Sequence, residues 1–243
     1  MDSHLVSHED KYLLNQLTNY PINNDGKFSN KGKVLDWPGC TIIYNIKESS
    51  KLSLELQKIQ NKFKKLSFSN KYSYLPKSSF HMTLFDCCNI KTHNSKFWPK
   101  NISQSDDFLE IAFKLYEKLN NYSFPKNINV KLQKFFGGFS ALLLPNTLKD
   151  NQILRSCRDD LSKILGIKYD NHITYTFHIT LAYLLKPLTP KEVKNLQIID
   201  KQNSQEFKKE VPFIELNNPE ICVFDNMYKF TNVKKINPYN LTS

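Results

Sequence analysis

Two hydrophobic periods alternate along this chain, and each change of period marks an element. Unbroken β-branched and aromatic runs or period-two patterns mark strands, and a repeat near 3.6 marks helices. The run Cys40-Thr-Ile-Ile-Tyr-Asn-Ile46 reads as a buried strand. Residues 51–66 place Leu52, Leu56, Ile59, Phe63 and Leu66 on one helical face, with lysines opposite. A strand follows over 79–86, then a loop to Gln104 that carries His93 and Phe97-Trp98-Pro99. Ser105 is placed to cap a helix to about Leu119, with Asp106, Asp107 and Glu110 at its positive end. Gly137-Gly138 supplies the turn of a hairpin between strands 127–136 and 139–144. A helix from Asp150 or Asn151 to Leu165 ends at Gly166. A second aromatic strand covers 173–184, Thr189-Pro190 opens a short helix, and strands near 211–216 and 219–225 follow.

Outside these elements, residues 1–20 read as a peripheral arm with one short helical pattern, Tyr12-Leu13-Leu14 to Leu17. Asn23-Asn-Asp-Gly26 and Trp37-Pro-Gly39 are turn signals. No linker rich in Pro, Gly or Ser divides the remainder, so residues 21–243 are expected to form one bilobal domain. Helices packing on strands from both halves predict an α+β fold with antiparallel sheets around a central cleft.

One stretch is written twice. Phe80-His-Met-Thr-Leu84 returns as Phe177-His-Ile-Thr-Leu181, 97 residues later. On a strand, residues two apart share a face about 6.6 Å apart. His81 and Thr83 therefore point one way, as do His178 and Thr180, while Met82 and Ile179 turn into the core. A lone histidine on an apolar strand is more often a satisfied core residue, and a lone threonine is a good strand former. Two copies in equivalent contexts are not explained by packing. Two imidazoles supply a base and an acid near neutral pH, and two hydroxyls supply donors to the oxygens of a phosphate. Cleavage of a phosphodiester by this set requires no metal and no cofactor.

The composition narrows the partners. The net charge is +11, yet only Arg155 and Arg158 among 34 basic residues are arginine, so lysine-rich drift competes with nucleic-acid binding as the cause. Five scattered cysteines without a C-x-x-C fit a reducing compartment, and no signal peptide or membrane-length apolar run occurs. The expectation is a cytoplasmic chain with no membrane partner and no obligate protein partner.

The neighbours of the motifs are weaker candidates. Phe85 shares the face of His81 on an ideal strand and suits base stacking or the core equally. Tyr183 falls out of phase with His178 and needs a bulge to reach the site. Tyr44 and Tyr74 are candidate cleft walls, with core packing favoured. Arg155 and Arg158, with Asp159 and Asp160 beside them, read as a solvated helix face. Asp86 suits either the orientation of a histidine or a turn cap. His4, His8, His93 and His172 lack the spacing of a metal set, so no metal site is expected.

The paired His-x-Thr motifs about a hundred residues apart resemble the 2H phosphoesterase superfamily, which includes the LigT-like RNA ligases and cyclic phosphodiesterases. Asp25-Gly26, Trp37-Pro38-Gly39 with Thr41, Ser78–Asp86, Leu154-Arg with Arg158-Asp159, and Tyr175–Tyr183 together look like a branch of it found in bacteria, fungi and viruses. The resemblance implies two pseudo-symmetric α+β lobes with the motif strands adjacent at the cleft. It also implies metal-independent cleavage or transfer at phosphodiesters, with His81, Thr83, His178 and Thr180 as the motif residues. The expected substrate is a small nucleotide: a 2′,3′-cyclic phosphate, a 2′–5′ oligoadenylate or a cyclic dinucleotide such as cGAMP. In a viral setting, the last two would make the enzyme a degrader of immune signals. The competing readings are an RNA-end processing enzyme or ligase, and an RNA-binding protein that uses the same cleft.

Overall fold

Met82 and Ile179 face each other across an antiparallel strand pair, and the rest of the structure is arranged outward from them. The computed structural model describes Leu17, Thr18 and residues 26–236. Its elements, in chain order, are β1 (Gly39–Asn45), α1 (Lys51–Lys64), β2 (Tyr72–Tyr74), β3 (His81–Asn89) and α2 (Phe108–Lys118). There follow β4 (Ile128–Phe136), β5 (Ser140–Pro145), α3 (Leu148–Leu165), β6 (His178–Thr180) and β7 (Ala182–Leu184). Helix α4 (Pro190–Glu210) and strands β8 (Ile214–Leu216), β9 (Glu220–Asn226) and β10 (Lys229–Asn232) complete the chain. Eight strands form one antiparallel sheet in the order β10-β9-β1-β3-β6-β5-β4-β8, and β2 pairs with β7 in a second. The fold is α+β.

The expected hairpin is β4–β5, and Gly137 and Gly138 take φ of +63° and +69° at its turn. A Cβ on Gly137 would lie 2.5 Å from a ring carbon of Phe139, so both the backbone and the space require glycine there. Gly166 likewise ends α3 in the left-handed region.

Several boundaries differ from the sequence reading, each for a local reason. Helix α2 is capped by Asp107, not Ser105, because the Asp107 carboxylate accepts from the Glu110 N–H at 2.8 Å. Thr147, not Asp150 or Asn151, caps α3; Asp150 instead closes the reciprocal capping box. Helix α4 runs 21 residues where a short helix was expected. Its buried stripe continues through Asp200, Asn203 and Ser204, which hides it from a hydrophobic pattern. Two of those polar groups are engaged: Asp200 accepts from the backbone of Gly137 and Gly138, and Ser204 Oγ accepts from the Phe135 N–H. The second motif strand is not continuous either. It breaks at Leu181, where the N–H groups of Leu181 and Ala182 both donate to the Phe139 carbonyl. The buried Gln60 amide donates to the carbonyls of Leu75 and Leu181, and the chain then crosses into the small sheet.

Leu17 is 1% exposed and its carbonyl accepts from the Leu188 N–H. The rest of the predicted arm, with His4 and His8, lies outside the described residues, as does the Asn23–Asp25 part of the first turn. All five cysteines are free and buried. No helix among the described residues is long and apolar enough to cross a membrane.

Candidate active site

Adjacency of β3 and β6 fixes the geometry of the two motifs. With Met82 opposite Ile179, the antiparallel register sets His81 across from Thr180 and Thr83 across from His178. All four project from the face opposite Met82 and Ile179, and all four are half-buried. The two histidines are diagonal neighbours, about 7–8 Å apart along such a pair. They and both threonines line one cavity of about 330 Å³. A separate cavity of about 300 Å³ lies behind them and is lined by Met82 and Ile179.

Both rings are held in the same way. His81 Nδ1 lies 2.7 Å from the Ser79 carbonyl, and His178 Nδ1 lies 2.9 Å from the Thr176 carbonyl. A carbonyl only accepts, so each Nδ1 donates its proton two residues back. In the neutral ring the lone pair then sits on Nε2, the nitrogen left free for a ligand. Phe230 packs on the His81 ring at 4.3 Å between centroids. This burial, aided by the charge of His178 and opposed by the Ser79 bond, lowers the His81 pKa from 6.5 to about 4. His81 is therefore neutral at physiological pH and able to take a proton.

Residues 27–137 match a family model described as "2H-phosphodiest: Domain of unknown function (DUF1868)". This stretch belongs to the 2H-phosphodiest family. The first His-x-Thr motif lies inside the matched stretch. The second lies beyond it and is joined to the first by the β3–β6 pairing. The crystal structure of a conserved protein of unknown function, ATU0111 from Agrobacterium tumefaciens str. C58, superposes with a TM-score of 0.86 at 21% identity. The match covers 93% of this chain and 98% of that one, and shows that the two share a fold. The crystal structure of TT0787 from Thermus thermophilus gives a TM-score of 0.39 at 11% identity, covering 76% of this chain and 86% of that one. No curated protein matches the sequence significantly.

Around the two His-x-Thr motifs, the aromatic candidates separate. Phe85 does not share the face of His81. Thr83 pairs with Ile43 and Phe85 with Ile42, so Leu84 is an extra residue in β3 and the alternation resets after it. Phe85 is 1% exposed and packs in the core near His172. Tyr44 is the register partner of Met82 and faces the cavity behind the sheet. Tyr74 sits in the small sheet beside Tyr72 and under Lys64, away from the cavity lining. Tyr183 does line it, because the break at Leu181 supplies the change of phase that an ideal strand lacks. Its hydroxyl donates to Met227 Sδ at 3.3 Å.

Arg158 is not on a solvated face. It is 3% exposed, stacks on Tyr175 at 3.9 Å, and donates from Nη1 to the carbonyl of Leu84 at 2.5 Å. The bulge residue thus finds its partner in a helix behind the strand. Arg155 is half-buried over the Phe177 ring. His172 is buried and bonds Asp159 at 2.8 Å. Among the described residues no group of three or more His, Cys, Asp or Glu is placed to hold a metal ion.

Other residues of the cavity were not singled out as site candidates from the sequence. Lys27 holds its ammonium 5.4 Å from the centroids of both Trp37 and Tyr183. Tyr175 reaches a hydrogen bond with Thr83. Trp37 and Phe230 complete the wall. Asp86, which the sequence leaves between two roles, is turned into the cavity by the bulge and lies opposite Thr41. The residue is exposed, yet desolvation by the surrounding cavity walls raises its carboxyl pKa, while Arg158, His178 and Lys27 pull it back. The bulge had a signal: Leu84-Phe85, two large apolar residues in succession, breaks the alternation. Arg158 had one too, since a lysine-rich chain that places an arginine in a helix has use for its fork.

Proposed function

We propose that the chain is a metal-independent phosphodiesterase that hydrolyses a small nucleotide phosphodiester by two-histidine acid–base catalysis. The observation that carries this reading is the matched anchoring of both imidazoles through Nδ1, beside two hydroxyls in a shared cavity. On a 2′,3′-cyclic phosphate, His81 Nε2 takes a proton from water as its oxygen attacks phosphorus. The bond to one ribose oxygen breaks, and protonated His178 gives that oxygen its proton. The products are a ribose hydroxyl and a phosphomonoester, and the two histidines have exchanged protonation states. Thr83 and Thr180 donate to the non-bridging oxygens, where charge grows in the transition state. The two halves of the large sheet, each bringing one motif to the seam, support a two-lobed pseudo-symmetric arrangement. Free buried cysteines favour a cytoplasmic setting.

The test is a panel of 2′,3′-cyclic nucleotides, 2′–5′ oligoadenylates and cyclic dinucleotides, incubated with wild type, His81→Ala and His178→Ala, with and without EDTA. Hydrolysis of at least one class, lost in both variants and indifferent to EDTA, is expected. Turnover that persists in the double variant overturns the proposal. RNA affinity that survives in that variant and falls steeply with salt would favour the RNA-binding alternative.

A further inference from the structure

A carboxylate is an odd wall for a phosphate site, because it repels the ligand. Asp86 nevertheless faces the cavity, and it makes no hydrogen bond or ion pair among the described residues. Its place along the strand suggests what it meets. Thr83 lies opposite Ile43 and Asp86 opposite Thr41, two residues apart on β1, which is about 6.8 Å of strand. With the reacting phosphate at Thr83, that reach falls on the base of a bound nucleotide. Asn89, opposite Gly39, lines the same end of the cavity. Its Oδ1 accepts from the Lys91 N–H at 2.9 Å, which fixes the amide and leaves Nδ2 to donate.

A carboxylate offers two acceptors and no donor, and an amide nitrogen beside it offers a donor. Guanine presents the complement: two adjacent donors, N1–H and N2–H₂, and then the O6 acceptor. Adenine and cytosine place one donor next to an acceptor, and uracil places one donor between two acceptors. Each of those would set a carboxylate oxygen against a lone pair.

We infer that Asp86 and Asn89 form a base-reading wall of the catalytic cavity, and that the nucleotide it takes is a guanosine phosphodiester. The reaction at the phosphate end rests on the function proposed above; the choice of base does not. Two measurements keep the two ideas apart. The first is kcat/KM on the four nucleoside 2′,3′-cyclic phosphates. The guanosine substrate should lead by about 10- to 100-fold, the discrimination of a good bidentate pair. Asp86→Asn should bring it down to the level of the others. Asn89→Asp, which keeps the cap oxygen and removes the donor, should do likewise if Asp86→Asn does not fold. Equal rates in wild type, or a preference that survives both substitutions, overturn the inference. The second is the affinity of the His81→Ala protein for guanosine and adenosine 2′-monophosphates by calorimetry. Tenfold tighter guanosine binding supports the wall even if no cyclic phosphate is cleaved. Equal binding overturns it whatever the rates.

Discussion

Replacing His81 by alanine should cut turnover by orders of magnitude and, at acid pH, shift stability in the variant's favour relative to wild type. Burial beneath Phe230 lowers the His81 pKa from 6.5 to about 4. The unfolded chain binds this proton as pH falls through 6.5, whereas the folded chain refuses it until about pH 4. The His81 contribution to stability is therefore lost progressively between those values. At about 1.4 kcal/mol per pH unit, the interval from 6.5 to about 4 amounts to roughly 3 kcal/mol, complete below pH 4. His81→Ala has no such proton to bind. It loses packing against Phe230 at every pH, and that loss is a constant offset. Urea denaturation of both proteins at pH 7.5, 6, 5 and 4 should show the gap moving in favour of the variant by up to roughly 3 kcal/mol as pH falls. A gap that stays constant, or moves towards wild type, refutes the burial argument. The same measurement bears on catalysis, since a base that stays neutral to pH 4 should hold up the acid limb of kcat/KM. Losing it should cost about 10²–10⁴-fold at neutral pH.

His178→Ala should lower kcat/KM by a similar 10²–10⁴-fold while leaving the melting temperature nearly unchanged, and the double variant should be little worse than either single one. Arg158→Met leaves the Leu84 carbonyl without its donor and removes the stack on Tyr175, so urea unfolding should show a loss of about 2–4 kcal/mol. Asp200 carries the opposite pH dependence to His81, because burial raises its carboxyl to about 7. Below pH 3.8 both states hold the proton, and as pH rises to about 7 only the unfolded chain gains the charge. The Asp200 contribution to stability should fall by up to roughly 4 kcal/mol over that range and stay level above it. Asp200→Asn should flatten this part of the urea-derived profile; an unaltered slope would contradict it.

Local patterns in the chain were enough to place the first motif strand, the face that each His and Thr shares, the hairpin at Gly137-Gly138 and the end of α3 at Gly166. These follow from local rules: period two on a strand, and the positive φ that glycine permits. The sequence also pointed to the 2H family, through a duplication that packing does not require. What lies around the motifs was set by long-range contacts. An extra residue at Leu84 sent Phe85 inward and Asp86 outward, and Arg158 holds that bulge from a helix 74 residues away. A double acceptance at the Phe139 carbonyl broke the second strand and brought Tyr183 to the cavity. Helix α4 outran its hydrophobic pattern because the middle of its inner face, Asp200, Asn203 and Ser204, is polar, with bonds to the β4–β5 hairpin far upstream. In each case the deciding hydrogen bond joins residues far apart in sequence. Periodicity records only which face a residue occupies within its own element. It cannot record which distant group will satisfy a carbonyl or a carboxylate there, and that choice set the walls of the site.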